Sequence, residues 1–105
     1  MKEEVVVLLQ IQKGNFENFN IIYNKYYKKI FFFSLKSIGD EKLAEDLTQD
    51  VFIDIITNIK NLKEIEEFYS LLLKLATNKI NMMLKKLYLQ KKYILSYNEI
   101  FSKLL

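Results

Sequence analysis

Along most of this chain apolar residues return at intervals of three and four, the period of a helix with one buried face. The pattern predicts a first helix from about Glu3 to Gln12, with Gly14 just past its end. Asn15 is placed to cap a second helix reaching about Ser37, which would bury Phe16, Phe19, Ile22, Tyr23, Tyr26 and Ile30. Gly39 and Asp40 make the next stop and start, a C-terminal glycine followed by an N-cap aspartate, and Glu41 complements the positive helix end. A third helix then extends to about Lys60. The short connection "NLKEI" leads to a fourth, from about Glu66 to Lys91 or beyond. The tail "ILSYNEIFSKLL" leaves room for one more short helix, which Ser96 or Asn98 would cap.

The third helix has two unlike sides. Leu47, Val51, Ile55 and Ile59 recur at four-residue steps beside Ala44 and Phe52 and form its buried stripe. Asp46, Gln49, Asp50, Ile53 and Thr57 fall opposite, with Glu45 and Asp54 also on the solvent side. Acids near a helix start complement its dipole, which accounts for Glu41 and Glu45 but not for Asp50, Asp54 or a solvent-side isoleucine. By pattern alone this face is either an ordinary solvated surface or a docking surface. The fourth helix is also divided. Tyr69, Leu72, Leu73, Ala76, Ile80, Met83 and Leu87 point inward, whereas Lys74, Asn78, Asn81, Lys85 and Lys92 line the other side. Such a ridge can contact phosphates and base edges, or be a soluble lysine-rich face, and Asn78 could instead bond backbone within the bundle.

Composition narrows the classes. Proline is absent and the only glycines are Gly14 and Gly39, so an all-α chain is expected, because sheets need more turns. With neither cysteine nor histidine, the chain lacks disulfides, the usual metal ligands and the usual near-neutral acid–base group. No nucleophile–base pair or phosphate-binding loop is visible, so neither enzymatic activity nor a cofactor is expected. The early apolar run "VVVLL" is too short for a membrane span, so no membrane insertion and a cytoplasmic location are expected. Net charge is +3, but unevenly spread: residues 1–67 hold nine lysines and twelve acids, residues 68–105 seven lysines and one acid. A basic final third points to nucleic acid or another polyanion. Every cation is lysine, which binds phosphate as a point charge but lacks the fork that reads guanine.

In order, these segments resemble region 2 of bacterial RNA polymerase sigma factors of the extracytoplasmic-function group. The resemblance runs from about Leu8 to Lys86. It begins in "LLQIQKGNFENFNIIYNKYYKKI", is most specific in "GDEKLAEDLTQDVFIDI", and closes in "FYSLLLKLATNKINMMLKK". It implies a compact bundle of about four helices over residues 1–92, and a tail over 93–105 similar to the start of the inter-domain linker. The second DNA-binding domain of complete family members would be absent. By position, the resemblance assigns Asp46, Gln49, Asp50 and Ile53 to the clamp helices of the polymerase largest subunit. It assigns Lys74, Asn78, Asn81, Lys85 and Lys86, with the loop near Lys60 to Ile65, to the promoter minus-ten element. There, a non-template base flipped from the duplex would be captured as a single strand. An anti-sigma protein is a further partner the family implies. The chain departs from many relatives at Leu71, where they carry Trp, at Thr77, where a basic residue is common, and at Met82 and Met83, where they carry an acidic–basic pair. These departures leave open an alternative: a degenerate sigma-like module that binds polymerase or an anti-sigma protein without opening DNA.

Overall fold

The computed structural model describes residues 2–104, and four α-helices dominate them: α1 (Lys2–Gln12), α2 (Phe19–Ile38), α3 (Glu41–Asn58) and α4 (Phe68–Leu104). Two 3₁₀ turns, Ile59–Asn61 and Ile65–Glu67, connect α3 to α4. The described residues contain no strand.

The first two helices end where a glycine stops them. Gly14, at φ 88°, closes α1 with two backbone bonds, Asn15 N–H to Gln10 O (2.9 Å) and Gly14 N–H to Ile11 O (2.9 Å). This paired arrangement satisfies carbonyls the helix leaves open. Gly39, at φ 76°, closes α2 by donating its N–H to Leu35 O at 2.8 Å. Asp40 then caps α3, its side chain accepting from the Leu43 N–H at 3.0 Å.

Two expectations about boundaries are corrected. Asn15 does not cap α2. Its Oδ1 accepts from the Glu17 N–H (3.0 Å) in a local turn, and the helix begins only after Asn18. Phe16 therefore lies in that turn and is 43% exposed, not buried with the rest of its stripe. The tail forms no separate helix either. No glycine or proline follows Gly39, so nothing interrupts α4, and Ser96 and Asn98 sit in mid-helix.

The core forms where the four helices meet. Val7, Leu8 and Ile11 of α1 pack with Ile22, Tyr26 and Ile30 of α2. Leu47, Val51, Phe52 and Ile55 of α3 face Phe68, Leu72, Ala76 and Ile80 of α4. The predicted α3 stripe, through Ile59, is buried throughout. Tyr69 sits at the core edge instead, 37% exposed, its ring 5.5 Å from that of Tyr26. The Ser34 and Thr48 hydroxyls, both buried, bond the preceding helical turn, Ser34 to Ile30 O and Thr48 to Ala44 O, and no buried side-chain polar atom among the described residues lacks a partner. At the outer seam between α1 and α2, Glu4 accepts from both Lys25 and Tyr26. Burial alone would raise the Glu4 carboxyl, but these two bonds and the Lys25 charge outweigh it and hold it below the usual carboxylate range.

α4 outruns this core. Its 37 residues make a rod of about 55 Å. Past Leu87 every described residue is exposed, and the molecule measures 67 × 23 × 20 Å.

Candidate functional site

Asp40 and Gly39 fix the start of α3, and the buried stripe fixes its rotation, so the opposite face must point outward. Gln49, Asp50, Ile53 and Thr57 are exposed, and Asp46 and Glu45 are half-buried. Ile53 is 62% exposed, an apolar side chain set among polar ones. The acids are not equivalent. Asp46 accepts from Lys42 at 3.2 Å one turn away, and that bond raises the lysine's pKa. Asp54, half-buried, pairs with Lys79 of α4 at 2.8 Å. Asp54 therefore ties α3 to α4, which explains its presence without any partner molecule. Asp50 is left as the outward acid at the centre of the ridge.

On α4, Lys74, Asn78, Asn81 and Lys85 are all exposed. At about 100° per residue they share one ridge, on the side of the helix away from buried Leu72 and Ala76. Lys86 does not share it. It lies about 100° further round and lines a shallow cleft with Asp50, Lys79 and Met82, between α4 and the acidic ridge. The structure thus brings four of the five nucleic-acid candidates together and sets the fifth beside the α3 face.

A second cleft, of about 430 Å³, opens where the 3₁₀ turn after α3 meets the start of α4. Leu62 and Leu71 supply apolar walls, and Asn58, Asn61, Glu67, Ser70 and Lys74 the polar groups. Its size and mixed lining fall in the range of clefts that take a small group. The turn is held by Gln12, whose Nε2 donates to Ile59 O (3.1 Å) and Leu62 O (3.0 Å). Sequence reading missed Gln12 because its partners lie 47 and 50 residues away, and no local pattern marks it. It missed Lys79 as well, since an i,i+4 analysis cannot see a partner on another helix.

The helical scaffold thus presents an acidic face on α3 and a basic, cleft-bearing face on α4. A family model for Sigma-70 region 2 matches residues 22–88, more than half of the chain, and the chain belongs to that family. Domains of this family bind core RNA polymerase and recognise the promoter minus-ten element, acting in transcription initiation and not as enzymes. No curated protein and no solved structure gives a match. No described helix is long and apolar enough to cross a membrane. No group of three acidic residues that could hold a metal ion occurs among the described residues.

Proposed function

We propose that this chain is a cytoplasmic sigma region 2 module of the extracytoplasmic-function type, with its two partners assigned to separate surfaces. Asp46, Gln49, Asp50 and Ile53 dock on the clamp helices of the polymerase largest subunit. Ile53 gains by desolvation, while the surrounding polar groups orient the contact and disfavour DNA on that side. Lys74, Asn78, Asn81 and Lys85 hold the phosphates of the non-template strand, and one flipped base enters the cleft between Leu62 and Leu71. There the amide of Asn61, the hydroxyl of Ser70 and the carboxylate of Glu67 are available to base edges. Lys86, beside Asp50, belongs to the border between the two surfaces.

The observation that carries this reading is the placement of the cleft. It opens beside the basic ridge, shares Lys74 with it, and is built from the same α3–α4 connection that follows the acidic helix. One observation favours the degenerate-module alternative: the cleft walls are aliphatic, so a captured base finds no aromatic ring to stack on. The two readings part in one experiment. In the presence of core polymerase, affinity for a fluorescent single strand carrying a minus-ten sequence is measured for the native chain and for a Lys74→Ala, Lys85→Ala double variant. The minus-ten reading predicts tight binding by the native chain and weakening of about tenfold in the variant, with a shallower salt dependence. Equal affinities, or no strand binding by either protein, would leave the degenerate module standing.

A further inference from the structure

Beyond the last core contact, α4 carries an apolar stripe into solvent. Ile80 is buried in the core and Met83 packs against it, and the same seven-residue step then brings half-buried Leu87 and the exposed Ile94 (60%) and Phe101 (50%) to the same side, beyond the bundle. Met83, Gln90, Tyr97 and Leu104 follow the companion step three residues later. The stripe is thus a heptad seam whose first part is filled by the protein's own core and whose second part is bare.

We propose that the bare part pairs with the same segment of a second copy, antiparallel, to form a two-fold dimer. Three registers of antiparallel seam packing can be compared. One places the partner's Leu104 opposite Ile80, which the bundle already covers, so the partner helix would collide with α3. Another leaves only the stretch from Ile94 onward in contact. The third sets Leu87 opposite the partner's Leu104, Gln90 opposite the partner's Phe101 and Ile94 opposite the partner's Tyr97, each repeated by the two-fold. It uses the whole bare seam and stops where the bundle begins.

The flanks agree with the third register. Along one edge Tyr93 meets the partner's Ile100, apolar against apolar. Along the other Lys91 meets the partner's Asn98, with no like-charge contact. A parallel pair would instead set Lys86 against the partner's Lys91 and so oppose two cations at its edge. Glu99 and Lys103, which pair within one helix at 3.6 Å, stay on the outer side in either case. The α3 ridge and the Leu62–Leu71 cleft take no part, so this inference stands independently of the proposed transcription role.

The test uses the intact chain. Sedimentation equilibrium should give a monomer–dimer association, which Ile94→Lys and, separately, Phe101→Lys each weaken by on the order of tenfold or more, because a lysine would enter the seam. At concentrations low enough for all three proteins to be monomeric, thermal unfolding of the bundle should not change, since neither residue touches the core; at higher concentrations only the native chain should gain melting temperature. Orientation is read by disulfide trapping, which the absence of native cysteine makes clean. Gln90→Cys mixed with Phe101→Cys should give the crossed disulfide. Gln90→Cys alone should not self-link, its two sulfurs being separated by roughly 16 Å along the axis. A native chain that stays monomeric, self-linked Gln90→Cys, or a monomer whose tail partitions onto anionic phospholipid vesicles would each overturn the proposal.

Discussion

At Gly39 the backbone takes φ 76°, a conformation that a side chain disfavours even though an added Cβ would meet no atom within 4 Å. Gly39→Ala should therefore cost about 1 kcal/mol through backbone strain alone, and Asp40→Ala about 1 kcal/mol through the lost cap, both read by chemical denaturation. The ridge residues behave differently under the same assay. Among the described residues the Asp50 side chain finds no hydrogen-bond or ion-pair partner, so Asp50→Asn should leave stability within about 0.5 kcal/mol of native. Glu4 adds a pH dependence. Its carboxyl is held below the usual range in the folded state, so the stability it contributes is complete above the unfolded value and is lost as pH falls through the folded one. The melting temperature of the native chain should accordingly fall more steeply than that of Glu4→Gln as pH drops below about 4.

Among the elements, α3 was the most legible. The boundary before it is carried by Gly39, which stops α2, and Asp40, which starts α3, both acting on their immediate neighbours, and its buried stripe is a strict four-residue repeat. The start of α2 was less so, because Asn15 and Asn18 are equally good caps in isolation. A turn bond from the Glu17 N–H to Asn15 Oδ1, and one from the Asn18 amide to Gln10 Oε1 (3.2 Å), decide between them. The acidic face of α3 was visible as a pattern, yet Asp54 could be separated from Asp50 only by the position of Lys79 on another helix. The cleft was legible only as a loop of interest, since its shape depends on Gln12 reaching across from α1. Gln12→Ala should leave the bundle folded but free the Ile59 and Leu62 carbonyls. Amide hydrogen exchange should then rise on going through the 59–62 turn and not in α2, at a stability cost of about 1–2 kcal/mol.

For the whole molecule, the proposed function is a division of labour, in which one outward face of α3 would address the polymerase, and the back of α4 with its adjoining cleft would address promoter DNA. The Lys79–Asp54 pair and the core between the two helices hold these surfaces at a fixed relation, so that a bound polymerase would present the cleft to one strand. The ridge can be reversed in charge without touching that scaffold. The most direct measurement is therefore a binding titration of core RNA polymerase with the native chain, Asp50→Lys, and the Lys74→Ala, Lys85→Ala double variant, with no DNA present. The account predicts that Asp50→Lys weakens binding by on the order of tenfold or more, while the double variant binds like the native chain. Native-like binding by Asp50→Lys, or loss of binding in the double variant, would contradict it.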